Sequence, residues 1–421
     1  MLELNVSQLR NLRNWARADL PSMVLTAVVP VESTVTAAMT AVGELVRAHE
    51  GLRSRLVTAS DGALRQEVLP PDAVEVRRHL ELIECVDPLT GPEIWATLPV
   101  SPLAGAFRTV LYTRDGQVVA IKLSLSHVFV DALGKQAAAR HLRQLIERRP
   151  VRAPRQASQF AKGPDDPDVI RNTEYWKQAL ADAPRTYRAP EPDSAEAVWV
   201  TQHRLTPDEV RSVKAACTRL GVSPHAVWVT ALSIAIGALS GCHRHVCKTT
   251  YANRRTTADF NAVVQIAQPV FPHIAGSDRD TLSSRTRAVE NALAEGRSHS
   301  LYDANALLDW LNPPANAGGA SVQPVFEVNF VPAVDRHEAQ APQAPTPDGT
   351  WVERTRIAPN SAKPRIVLLV RHPGPVVRLS VRRPLDEVRR PRRLLDGCLR
   401  TIEAIAQDPQ ATLAGLEISW Q

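Results

Sequence analysis

The chain has 421 residues, too many for one compact core, so its length points to two domains of roughly 150–200 residues each. With 44% hydrophobic and 22% charged residues it has the composition of a globular protein, and no apolar run approaches the roughly 18 residues of a membrane span. A net charge of +6 and a pI near 9.2 raise nucleic-acid binding, but the basic residues are nearly all arginine, 44 acidic residues are interspersed with them, and no aromatic-rich basic repeat or zinc-finger spacing occurs.

The N-terminus, MLELNVSQLRNLRNW, has no apolar block after a basic start and does not read as a signal peptide, so a cytoplasmic location is expected. Apolar residues at three- and four-residue steps predict a helix over Thr34–Leu56. Strand-like alternation follows in AGAFRTVLYTRDGQVVAIKLSLSH, where RDGQ is a hairpin signal, and GKQAAARHLRQLIERR is again helical. The stretch Arg149–Asp168, rich in proline and polar residues, reads as a linker, dividing the chain into 1–168 and 169–421. Beyond it, TPDE has the spacing of a capping box with proline at the first helical position, and GVSPHA restarts a second helix. Strands are predicted in HVCKTTYA, PVFEVNFVPA, RIVLLVRH and PVVRLSVRR, and a last helix in RRLLDGCLRTIEAIAQ. Asn312–Gln323 and Pro332–Gly349 read as mobile loops. The second unit repeats the α/β character of the first.

Five scattered cysteines, Cys85, Cys217, Cys242, Cys247 and Cys398, argue against a disulfide framework. In GCHRHVC two thiols and two imidazoles fall within six residues, yet ligands this crowded do not match the usual zinc spacing. A loop between a helix and a strand is the expected reading, with no metal. The basic run Val381–Leu395 reads as a solvated helix approach or, less commonly, as a docking surface for an acidic partner.

The remaining chemistry lies in AIKLSLSHVFVDALGKQ, Ala120–Gln136, where an apolar run ends in His127 and Asp131 follows four residues later. A neutral imidazole suits proton removal near pH 7, and a carboxylate can hold the local geometry. No G-x-S-x-G elbow or phosphate-binding glycine loop accompanies them. On this motif alone, a structural histidine at a strand end is the commoner explanation.

The neighbouring segments change that balance. His-x-x-x-Asp after an apolar strand near residue 130 resembles the condensation domains of nonribosomal peptide synthetases and their chloramphenicol acetyltransferase-like relatives. LVRAHEGLRSRL (Leu45–Leu56) is similar to that family's RHExLRTxF segment, TEYWKQALADAP (Thr173–Pro184) to its YWxxxLAGAP, and QPVFEVNFVPA to its HPLFQVMF strand. GVSPHAVWVTALSIAIGALSG resembles the helix pair between them, so five motifs stand in order along most of the chain. The resemblance implies an α/β fold of two chloramphenicol-acetyltransferase-like lobes in a V-shaped pseudo-dimer, with His127 in a central tunnel. It implies catalytic roles for His127 and Asp131, the latter holding the loop through an arginine the sequence does not identify. Ser126, Ala132, Gln268 and Asn329 are expected to line the substrate path.

There are departures. The signature HHxxxDG stands as Ser126-His127-Val128-Phe129-Val130-Asp131-Ala132, so Ser126 replaces the first histidine and Ala132 the glycine. VVQIAQPVF, Val263–Phe271, only faintly resembles VGxFVNT, with Gln268 near the asparagine position, and Arg365 stands where an aspartate is expected. The implied activity is that of a free-standing, monomeric condensation enzyme with no tightly bound cofactor. Its donor would be an acyl or aminoacyl thioester on the phosphopantetheine of a carrier protein met in trans, and its acceptor an amine or alcohol. A coenzyme A-dependent acyltransferase and a catalytically silent recruitment module are the alternatives.

Overall fold

Helix α1 (Val6–Arg17) opens the first lobe and is followed by β1 (Val24–Thr34), α2 (Val35–Ala48), β2 (Ser54–Thr58), β3 (Leu64–Val68), β4 (Leu80–Glu84), β5 (Phe107–Arg114), β6 (Gln117–Ser126) and α3 (Ala132–Ile146). The structure is a computed structural model that describes residues 1–17, 23–74, 76–85, 98–187, 196–311, 320–322, 324–332, 350–354, 366–372, 376–382 and 389–415. Four strands form a sheet in the order β1-β6-β5-β4, with β4 parallel to β5 and the other pairs antiparallel. The predicted hairpin is the β5–β6 turn, where Asp115 and Gly116 both have positive φ, as a two-residue turn between twisted strands requires. Val42 and Leu45 of α2 and Ala137 and Leu142 of α3 pack on Val29, Leu111, Ile121 and Leu123 of the sheet.

The helix expected over Thr34–Leu56 ends at Ala48. His49 turns extended, Glu50–Leu52 form a 3-10 turn, and β2 begins at Ser54, where burial alternates as in a strand. His49 thereby enters the core and stacks on His141 of α3, with 2.9 Å between its Nε2 and the partner Nδ1.

The expected linker holds a 3-10 turn at Ala157–Phe160 and the start of α4 (Pro167–Ala179), capped by Asp166. The second lobe continues with β7 (Arg185–Tyr187), β8 (Glu196–Arg204), α5 (Pro207–Leu220), α6 (Pro224–Ser240), β9 (His245–Tyr251), α7 (Thr257–Phe260), β10 (Gln268–Val270), β11 (His273–Ile274), α8 (Leu282–Ser298) and α9 (Ala304–Leu311). It closes with β12 (Ala320–Val322), β13 (Phe326–Pro332), β14 (Thr350–Arg354), β15 (Ile366–His372), β16 (Val376–Arg382) and α10 (Arg389–Gln407). Its main sheet runs β10-β9-β13-β15-β16-β8-β14. The Thr206–Glu209 capping box forms as predicted, and Gly221 at φ 66° ends α5. Helix α6 is buried from Ala226 to Gly237, which is why its apolar residues surround it instead of forming a stripe. Among the described residues no single helix is long and apolar enough to cross a membrane.

Of the two expected loops, the first holds β12, which pairs with β7, and the second begins with Pro332 at the end of β13; the rest of both lies outside the described residues. Arg365 also lies outside them. GCHRHVC is the expected link between α6 and β9: Cys242 is exposed, His243 pairs with Asp278, and Cys247 is buried in the second core. No group of three His, Cys, Asp or Glu among the described residues is placed to hold a metal.

One segment of the second lobe crosses to the first. Val263 joins the first lobe's core, Arg140 of α3 donates to Phe260 O and Asn261 Oδ1, and Asn5 donates to Gln265 O. Two glycines make room for it: a Cβ on Gly51 would lie 2.0 Å from Val263 O, and one on Gly134 would lie 3.0 Å from Val264 N and O.

Gly51→Ala is therefore expected to lower stability by about 1–3 kcal/mol, since backbone must shift to admit one methyl group; urea unfolding checks it. A second expectation concerns pH. Burial pushes His49 down to about 3 and His141, His225 and His245 down to about 4, from an ordinary 6.5. Above 6.5 these groups are neutral folded or unfolded; below it the unfolded chain binds protons that the native state does not. Stability is thus expected to fall as pH drops from 6.5 toward 4, measured as urea midpoints across that window.

Candidate active site

His127 is the first residue past β6, and its backbone is held on both sides. Its N–H donates to Met23 O at 2.8 Å, and its carbonyl accepts from Asn11 Nδ2 of α1 at 2.6 Å. The tight turn that follows is closed by Phe129 N and Val130 N, both donating to Ser126 O at 3.0 Å. This turn carries Val130 O to 2.9 Å from His127 Nδ1. A carbonyl can only accept, so Nδ1 carries the proton and Nε2 presents a bare lone pair. Asn11 Nδ2, 3.4 Å from Nδ1, is itself a donor and adds no bond there. Among the described residues Nε2 has no partner. Burial and then the charge of Arg10 lower the imidazole pKa, so the ring stays neutral at pH 7.

Asp131 does something different. It caps α3, its Oδ1 accepting from Gly134 N at 2.8 Å. Its Oδ2 accepts from Ile266 N and Ala267 N, each at 3.1 Å, and from Arg254 Nη1 at 2.8 Å. Arg254 is the arginine the sequence did not identify. All five of its N–H bonds are used, the others going to the carbonyls of Ala252, Asp259, Ala262 and Val264. Both side chains are buried, at 0% and 1% exposure, and the pair reads as a lock between the lobes. No hydrogen bond joins Asp131 to the His127 ring, so the two do not form a dyad.

The other expected site residues divide. Ser126 is buried, and its backbone closes the turn; Ala132 is the first residue of α3, where an added methyl group is accommodated. Gln268 follows Ala267 beside Asp131, donates to Tyr302 O at 3.1 Å and leaves its buried Oε1 without a partner among the described residues. Asn329 stands on β13, half-buried, on the strand face that carries Glu327, and no contact among the described residues links it to His127. Glu327 pairs with Lys248 at 3.0 Å. Asn11 and Arg254 carry no local sequence signature. An arginine partner for Asp131 was implied by the resemblance, but not its position in the chain.

The family model of the condensation domain matches residues 23–355. The condensation domain from the Monacolin K polyketide synthase MokA superposes with a TM-score of 0.76 at 14% identity, covering 98% of this chain and 99% of that one. The condensation domain mediating chain release from the enacyloxin polyketide synthase gives 0.73 at 17%, covering 98% and 84%. A substituted starter condensation domain of rhizomide synthetase RzmA, in complex with C8-CoA, gives 0.71 at 16%, covering 99% and 97%. No curated protein matches the chain in sequence.

Removing one member of the interlobe pair leaves the other buried and uncompensated. Asp131→Ala and Arg254→Met are each expected to cost about 3–5 kcal/mol in urea unfolding, and the double variant less than the sum of the two. Asp131→Asn keeps the shape and should fall between Asp131→Ala and the unsubstituted chain.

Proposed function

The chain belongs to the condensation-domain family, and from that premise we propose that it transfers an acyl or aminoacyl group from a carrier-bound phosphopantetheine thioester to an amine or alcohol, forming an amide or ester. The observation that carries this reading is the bare Nε2 of His127, fixed in one tautomer by Val130 O in a partly buried site. The acceptor N–H or O–H gives its proton to Nε2 as its lone pair attacks the thioester carbonyl. Collapse of the tetrahedral adduct breaks the C–S bond, and the imidazolium returns the proton to the departing thiolate, so His127 ends neutral. Asp131 and Arg254 act only by holding the turn. Fixing donor and acceptor together supplies part of the rate through proximity.

A carrier met in trans is the proposed donor form. Carriers with acidic surfaces suit a chain of net charge +6. The basic run on α10 is less one-sided than its sequence, however: Arg392 pairs with Asp396, and Arg393 and Arg400 share a groove with Asp208, Glu209 and Glu403. The second reading, a free coenzyme A thioester as donor, is favoured by the RzmA domain solved with C8-CoA.

His127→Ala is expected to lower turnover of carrier-loaded donor by about 100-fold or more with an unchanged melting temperature. Because the imidazole pKa is lowered, the acid limb of the pH–rate profile should lie below 6.5 and vanish in this variant. Mass spectrometry of the carrier reads both, and parallel assays with free pantetheine thioesters decide between the donor forms. Unimpaired turnover in the variant would remove His127 from the mechanism.

A further inference from the structure

Helix α1 presents two arginines, three residues apart, toward the second lobe. The outer one, Arg13, reaches an acid: its Nη2 lies 2.5 Å from Asp309 Oδ1. The inner one, Arg10, does not. Its Nε and Nη2 donate to Asn11 Oδ1 at 3.3 and 2.9 Å, and Nη1 has no partner among the described residues. The acid of β13 that faces it, Glu327, is already engaged by Lys248. Asn11, which holds the Arg10 guanidinium with its amide oxygen, holds the backbone of His127 with its amide nitrogen. A half-buried cation thus stands two hydrogen bonds from the reacting histidine with no counter-ion of its own among the described residues. Burial is the largest influence on that guanidinium and pushes it down from its ordinary value, opposed by Tyr302, Glu327 and Asp131.

We propose that Arg10 receives a carboxylate carried by the acceptor, so that the acceptor is a free amino or hydroxy acid. The guanidinium edge of Nη1 and Nη2 offers the planar fork that a carboxylate matches, and the ion pair supplies the charge the site lacks. An acceptor tethered to a second carrier would have its acid locked in a thioester and would leave the cation uncompensated. The carboxylate takes no part in bond making; anchored there, it sets the amine or hydroxyl of the same molecule beside Nε2. The inference rests on the reading of His127 as the group that takes the acceptor's proton.

The test needs no donor. Binding to the full chain is measured by saturation-transfer NMR and calorimetry for the proteinogenic amino acids, β-alanine, γ-aminobutyrate, anthranilate and γ-hydroxybutyrate, each beside its methyl ester. At least one acid is expected to bind about 10- to 100-fold more tightly than its ester, the range of a charge-assisted contact. Arg10→Gln should abolish that preference and Arg10→Lys should retain part of it, whereas a merely structural Arg10 would weaken acid and ester alike. Esters that bind as well as acids, a preference that survives Arg10→Gln, or no acid bound at millimolar concentration would each overturn the proposal. Acid binding through Arg10 without product from a carrier-bound donor would sink the condensation reading instead, and condensation that is indifferent to the acceptor carboxylate would sink this one alone.

Discussion

The buried pair of Asp131 and Arg254 is the interaction on which the rest of the site depends. One carboxylate oxygen caps α3, and the other accepts from two backbone amides and a guanidinium of the second lobe. Two ions at 0% and 1% exposure are tolerable only because every donor and acceptor is satisfied. The pair thus ties the start of α3, the turn after β6 and the crossover segment to one another. The arrangement fixes where the imidazole points without touching it.

That division of labour separates two tasks that catalytic dyads combine. A carboxylate on Nδ1 would raise the imidazole pKa and stabilise its charged form. Here a backbone carbonyl takes that place and sets the tautomer, while burial and then Arg10 lower the pKa against the smaller raising effects of the Val130 hydrogen bond and the Asp131 charge. On the proposed reaction the ring would be a base that is ready at neutral pH and gives up the acquired proton easily. This suits a reaction in which the proton must be handed on to a thiolate within one turnover.

Much of this was legible in the sequence. The β5–β6 hairpin was written in Asp115-Gly116, the capping box in Thr206 and Glu209, and His127 and Asp131 in a motif whose neighbours fell in a recognisable order. The end of α2 was not, because Leu52 and Leu56 continue a helical period by accident while Gly51 and His49 answer to contacts with Val263 and His141. Arg254 and Asn11 were invisible for a related reason. Each meets the His127–Asp131 turn from more than 100 residues away, and nothing in its own neighbourhood marks it. Local periodicity reports what a segment does for itself, and the site is built from what distant segments do for one another.

The crossover segment has a consequence for exchanging parts between relatives. By chain order residues 254–267 belong with the second lobe, but their carbonyls, their amides and Val263 are fitted to Gly51, Gly134, Arg140 and Asp131 of the first. A chimera cut in the linker would join a foreign strap to a resident socket, and the mismatch would fall on the turn that carries His127. Lobe shuffling in this architecture therefore has a natural graft unit that is discontinuous: the first lobe together with a short piece of the second, transplanted as one body.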